Sequence, residues 1–134
     1  MKLINLTDYP FHYKTQTRWN DMDSFMHVNN ALFLTYIEDA RVNFFKRWNL
    51  RDKNKSIIVA SVKLDLLRQI THPSELIVGQ KISRIGTTSF DIESAVFIID
   101  ESDSVATSKV ICVCFDYKKN KPVSVYPEII SDYI

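Results

Sequence analysis

Two acids, a histidine and two adjacent amides lie between Arg18 and Asn30, directly ahead of a long apolar stretch. Asp23 lies only a few residues before that stretch, where its carboxylate could act as a nucleophile or take a proton from water. Asp21 is the rival acid, and its ordinary role would be to cap the loop or to carry a surface charge. The segment is therefore the candidate centre of a nucleophilic or acid-base reaction.

The residues from Asn30 to Trp48 repeat their apolar side chains with helical spacing. Asn29 is the predicted N-cap, because its side-chain oxygen can accept an N–H of the first helical turn. A helix N-terminus presents unpaired N–H donors and a partial positive charge. A carbonyl oxygen that gains negative charge during a reaction would be stabilised there.

Alternating side chains predict a strand that leads into this segment and several strands that follow the helix. The first is predicted over 11–19, and the later ones near 58–66, 75–85, 90–98 and 105–117. A change of phase predicts a bulge at 66–68, Gly86 with Thr87 predicts a hairpin, and Pro127 predicts a short terminal helix. One long helix with several strands, and no helices between the strands, favours an antiparallel α+β sheet.

The predicted helix carries a broad apolar face. Its central stripe consists of Phe33, Ile37, Ala40, Phe44 and Trp48, and Leu34, Tyr36 and Phe45 widen it. A face of this width predicts that the helix packs against the sheet.

The Asp-Met-Asp and His-Val-Asn-Asn groups of 21–30 are followed by Tyr36-Ile37-Glu38-Asp39-Ala40-Arg41. Together these residues resemble the signature of the hotdog-fold acyl-CoA thioesterases, in the branch of 4-hydroxybenzoyl-CoA thioesterase. The segment 86–90 resembles a second family segment, so the similarity of element order covers most of the chain. The resemblance implies a five-stranded antiparallel sheet wrapped around one long helix, in a homodimer or a homotetramer built as a dimer of dimers.

The resemblance also implies roles for individual residues. The family's catalytic carboxylate matches Asp23, and its oxyanion-binding backbone N–H falls near Asn29 and Asn30. Thr88 and Ser89 match a polar segment that the family brings to the site from a neighbouring subunit. Serine and threonine also commonly satisfy the backbone of a turn, and that alternative stays open for both residues.

Members of the closest type have glycine before the histidine, where this chain has Met26. Methionine would be strained in a loop that needs positive φ. Either the backbone takes an ordinary conformation and Met26 lines the acyl pocket with Phe25, or the loop is rebuilt and activity is altered. His27 can orient the thioester or the water, or it can serve only as a structural hydrogen-bonding residue.

Length and charge limit the classes of protein to which the chain can belong. Its 134 residues, 46% of them hydrophobic, make one domain over 1–134 with a single core. Seventeen basic and sixteen acidic side chains leave a formal charge of +1, which does not favour nucleic acid or an anionic membrane. No targeting segment or membrane span is recognisable, so a cytoplasmic protein is expected.

Cys112 and Cys114 lie two residues apart in a predicted strand, so they share a face and are expected to be buried thiols rather than a disulfide. They form no recognisable metal-ligand pattern with His12, His27 and His72, and no metal site is expected. A Gly-x-Ser-x-Gly nucleophile elbow is also missing from the sequence.

These observations and the resemblance lead to one main functional hypothesis: hydrolysis of a fatty or aromatic acyl-CoA to the free acid and coenzyme A, with no cofactor. The main alternative is a noncatalytic module that binds acyl thioesters, which the methionine at position 26 keeps open. A hotdog dehydratase, which would add water to or remove it from an enoyl thioester, is the third possibility.

Overall fold

The computed structural model describes residues 4–133, and its architecture is one curled antiparallel sheet around one long helix. The helices and strands are β1 (Phe11–Gln16), α1 (Asn30–Lys46), β2 (Ser56–Leu66), β3 (Glu75–Ile85), β4 (Ser89–Ile98), β5 (Ser104–Asp116), β6 (Lys121–Pro122) and α2 (Pro127–Asp132). The five long strands lie in the order β1-β3-β4-β5-β2, and the two-residue β6 pairs with β5. This arrangement confirms the predicted hotdog fold.

Helix α1 packs on the sheet through the stripe that its spacing predicts. The stripe residues Phe33, Ile37, Ala40, Phe44 and Trp48 are all buried, as is Tyr36. Leu34 was expected to widen the apolar face, and this expectation is wrong, because its side chain lies on a flank of the helix that this chain leaves exposed. The helix is also tied to the sheet by Gln80, whose Nε2 donates to the Ile37 carbonyl at 3.2 Å.

The bulge predicted at 66–68 is found at the end of β2, and a second irregular step lies within the strand. Strand β2 ends at Leu66, and the irregular step in its pairing with β5 falls between Val59 and Ser61. Beyond the strand end, the N–H groups of Leu67 and Arg68 both donate to the Val105 carbonyl, at 2.9 and 3.3 Å. Two successive N–H groups that share one carbonyl form a bulge, so the change of hydrophobic phase marks a bulge at the point where the chain leaves the sheet.

Strand β2 lies at an edge of the sheet and pairs only with β5 among the described strands. Three of its apolar side chains are exposed: Val59 at 43%, Val62 at 47% and Leu66 at 40%. An exposed apolar edge strand is a surface that a second strand can cover. This chain alone leaves that surface open.

Both cysteines are buried and free, in agreement with the prediction from their spacing. Burial raises the pKa of the Cys112 thiol to about 12, which leaves very little thiolate at neutral pH. Neither helix within 4–133 is long and apolar enough to cross a bilayer.

We expect the native protein to be inert towards a thiol reagent at pH 8, because both sulfurs are inaccessible and Cys112 stays protonated. Titration with an aromatic disulfide should detect no thiol in the native protein and both thiols after unfolding in guanidinium chloride. Rapid reaction of either thiol in the folded state would contradict this packing.

Candidate active site

The loop between β1 and α1 closes on itself just before the helix. Met22 and Val28 form an isolated antiparallel bridge, and the Asp23 N–H donates to the His27 carbonyl at 2.9 Å. On the other side of the bridge, the Asn29 N–H donates to the Asp21 carbonyl at 2.9 Å. The segment 23–27 is therefore a narrow turn held at its base, and we call it the Asp23 loop.

One oxygen of the Asp23 carboxylate is engaged and the other is free. Oδ1 accepts the N–H of Phe25 at 2.9 Å, which fixes the orientation of the carboxylate. Oδ2 has no hydrogen-bond partner within 4–133, and the residue is half-buried. The free oxygen can attack an electrophile or accept a proton from water.

The start of α1 offers one unoccupied backbone donor next to this loop. The Asn29 side chain accepts the Ala31 N–H at 3.0 Å and so caps the helix as predicted. Because the Asn29 N–H already donates to Asp21, it is not free to bind an oxyanion. The Asn30 N–H has no partner in the part of the chain that the structure describes, which leaves it as the available donor of the two.

His27, the last residue of the Asp23 loop, lines a neighbouring cavity. Its Nδ1 is buried and has no hydrogen-bond partner within 4–133. The cavity has a volume of about 750 Å³ and is lined mainly by polar loop residues, among them Thr17, Arg68, His72 and Glu101. His27 is the only residue of the Asp23 loop that reaches this cavity.

Met26 takes the left-handed conformation that glycine adopts without strain, with φ of 64°. Of the two alternatives stated for this position, the ordinary backbone conformation is therefore excluded. The side chains of Phe25 and Met26 are 80% and 54% exposed, so neither lines a closed pocket in the single chain.

We expect Met26→Gly to stabilise the fold by about 0.5–1 kcal/mol, because glycine removes the cost of left-handed backbone in an L-residue. The midpoint of thermal unfolding should rise by about 2–4 °C. Met26→Ala is the control, since alanine shortens the side chain but keeps the strained backbone. Equal unfolding midpoints for the glycine and alanine variants would show that the conformation is not a source of strain.

Thr88 and Ser89 lie at the opposite end of the sheet from the Asp23 loop. Thr88 precedes β4 and Ser89 begins it, whereas the loop lies beside Ile70, at the end where β4 stops. The 10 residues of β4 separate the two ends by about 30 Å. In this chain, the Ser89 hydroxyl accepts from Arg84 at 2.9 Å, and the Thr88 carbonyl accepts from Cys114. These residues and Asp23 do not meet within one chain.

Asp21 is more deeply buried than its expected role as a loop cap suggests. Its side chain is only 1% exposed and is hydrogen-bonded to Arg18 and Tyr36. The hydrogen bond between Tyr36 and Asp21 was not predicted from the sequence. The one signal for it was that Tyr36 falls on the buried face of the predicted helix, where its hydroxyl needs a partner. Among the described residues, no group of three or more His, Cys, Asp or Glu side chains could hold a metal ion.

A family model described as the thioesterase-like superfamily matches residues 17–132. The uncharacterized protein YsmA of Bacillus subtilis (strain 168) is 31% identical over 120 residues, which cover 88% of this chain and 81% of that protein. The long-chain acyl-CoA thioesterase FadM of Escherichia coli (strain K12) is 22% identical over 119 residues, covering 85% of this chain and 89% of FadM.

Solved structures share the same fold. A thioesterase from Thermus thermophilus, crystallised with coenzyme A and zinc, superposes with a TM-score of 0.81 at 28% identity. The match covers 93% of this chain and 92% of the Thermus chain.

Proposed function

Since the chain belongs to the thioesterase-like superfamily, we propose that it hydrolyses an acyl-CoA thioester to a carboxylic acid and coenzyme A. The observation that carries the proposal is the half-buried Asp23 carboxylate, with one oxygen free, on a turn that closes directly before the free Asn30 N–H. Support for the coenzyme A ester comes from FadM, named as a long-chain acyl-CoA thioesterase, and from the Thermus thioesterase that holds coenzyme A.

In the proposed reaction the thioester carbonyl oxygen points at the Asn30 N–H. The charge that develops on that oxygen is stabilised by this donor and by the positive end of the α1 dipole. Asp23 can attack the carbonyl carbon to form an anhydride, which water then hydrolyses to the acid and the free carboxylate. Alternatively it takes a proton from the attacking water and returns that proton to the departing thiolate. In both routes the carbon–sulfur bond breaks and one water is consumed.

We propose that the site is completed by a second copy of the chain. The unpaired edge of β2 exposes Val59, Val62 and Leu66, and pairing two such edges would cover these side chains. Antiparallel pairing about a two-fold axis reverses the partner's sheet, so the partner's β3–β4 turn approaches the end that carries the Asp23 loop. Thr88 and Ser89 would then serve the neighbouring subunit's site. Further pairing of two such dimers would give a tetramer.

The acyl group is proposed to pack against Phe25 and Met26. Both side chains are exposed on a turn whose backbone is fixed by hydrogen bonds from Phe25 and Met26 themselves. Large exposed apolar side chains beside a reactive carboxylate are suited to covering an apolar acyl chain, or an aromatic ring, and to excluding water. His27, with its unpartnered Nδ1, is proposed to hold the thioester or the attacking water.

The proposal is tested by following thiol release from a series of acyl-CoA esters of graded length and from aromatic acyl-CoA esters, with purified protein. We expect release of coenzyme A in a one-to-one ratio with free acid for at least one group of esters. Binding of the same esters without thiol release would instead support the noncatalytic binding module, which the methionine in place of glycine at position 26 keeps as the second candidate. Water addition to an enoyl thioester without thiol release would support a dehydratase.

A further inference from the structure

We infer that Asp21 and Tyr36 are positioning residues that hold the Asp23 loop at a fixed place relative to the start of α1. This inference rests on the proposed function and adds two residues to its machinery. Neither side chain would touch the substrate. Both would act by setting the distance between the Asp23 carboxylate and the Asn30 N–H.

The Asp21 carboxylate is fully engaged inside the protein. Oδ2 accepts the Tyr36 hydroxyl at 2.6 Å and the Arg18 N–H at 2.9 Å, and Oδ1 accepts the Arg18 Nε at 3.3 Å. A buried carboxylate is stable only when it is paired in this way. Burial alone would raise the pKa of Asp21, but the hydrogen bonds from Tyr36 and Arg18 outweigh it and lower this pKa. Asp21 is therefore a charged anchor at neutral pH.

The Tyr36 hydroxyl remains a hydrogen-bond donor throughout the neutral pH range. Burial and the contact with Asp21 both raise the pKa of its hydroxyl, so the phenol keeps its proton. The residue is 3% exposed and lies on the face of α1 that packs against the sheet. Since six positions separate it from Asn30, less than two helical turns lie between the anchor point and the helix start.

The backbone of Asp21 holds the other side of the same loop. Its carbonyl accepts the N–H of Asn29, the residue that caps α1. Asp21 therefore contacts the helix twice, through Tyr36 by its side chain and through Asn29 by its carbonyl. The Asp23 loop starts two residues later, so a shift of Asp21 would move the Asp23 carboxylate relative to the Asn30 N–H.

The test compares Tyr36→Phe with Tyr126→Phe, because each variant removes one hydroxyl from a buried tyrosine. The Tyr126 hydroxyl bonds to the backbone of Ser56, at the opposite end of the sheet from the Asp23 loop. Both variants should lose some thermal stability through the missing hydrogen bond. Only Tyr36→Phe should speed hydrogen exchange at the Asp23 and Asn29 amides, by about 10-fold.

Only Tyr36→Phe should also lower kcat, by about 10- to 100-fold, with KM changed less than about threefold. Asp21→Asn, which keeps an acceptor for Tyr36, should retain more loop protection than Asp21→Ala. The positioning role is overturned if kcat and loop exchange in Tyr36→Phe match those of Tyr126→Phe. If the wild-type protein releases no thiol, the proposed function fails, and exchange at the Asp23 and Asn29 amides still decides whether Tyr36 holds the loop.

Discussion

Asp23→Asn is expected to lower kcat for thioester hydrolysis by about 10²- to 10⁴-fold while the protein stays folded. Asparagine keeps an oxygen that can accept the Phe25 N–H, so the turn over 23–27 should persist. The amide cannot attack the thioester carbonyl or take a proton from water, because its NH2 group replaces the free Oδ2 of the carboxylate. The rate is measured as thiol release under saturating ester, with circular dichroism to verify the fold.

Asp39→Asn is the matched control. Asp39 is an exposed aspartate on α1, so this substitution makes the same change of charge away from the Asp23 loop. Its kcat should stay within about twofold of wild type, as for most surface substitutions. Asp23→Ala should be as inactive as Asp23→Asn and less stable, since alanine also removes the acceptor for Phe25. Hydrolysis at the wild-type rate by both Asp23 variants would remove the proposed role of this carboxylate.

If two chains pair along β2 as proposed, Val62→Lys is expected to separate them and to lower kcat/KM by at least about 100-fold. Val62 is 47% exposed in the middle of the unpaired edge strand β2, where a lysine would place a partly desolvated charge at the proposed junction of the two β2 strands. The mass measured by light scattering should fall to that of a single 15.6 kDa chain. Activity should fall with it, because Thr88 and Ser89 would no longer reach the neighbouring Asp23 loop.

Asp103→Lys adds the same side chain in the exposed turn before β5 and should leave both the mass and the activity unchanged. A fully active monomer of Val62→Lys would show that one chain forms the whole site. A Val62→Lys dimer with normal activity would show that the partner covers a surface other than the β2 edge.

The sequence predicts the helix and strands well because each depends on local spacing. The apolar stripe of α1 is read from a repeat along the chain, and Asn29 is recognised as the cap because its side chain bonds to a residue two positions ahead. Strands β3 to β5 follow their alternation to within one or two residues. Leu34 is an exception, because its exposure depends on which flank of the helix the sheet covers.

Contacts between distant residues could not be predicted in the same way. The hydrogen bond from Tyr36 to Asp21 joins residues 15 positions apart, and it exists only because the loop folds back onto the helix. The same fold of the loop engages the Asn29 N–H in a hydrogen bond to Asp21. Of the two N–H groups near which the resemblance places the oxyanion donor, those of Asn29 and Asn30, only that of Asn30 is therefore free within 4–133.

Asp23 and Ser89 lie at opposite ends of the sheet, so the proposed pairing would divide each active site between two chains. Under the proposed pairing, a newly synthesised chain is catalytically inactive until it pairs with a second one. Specific activity would then decline on dilution below the dissociation constant of the pair, as the population of monomers grows. The concentration of the protein itself would become a control on turnover, independent of any effector.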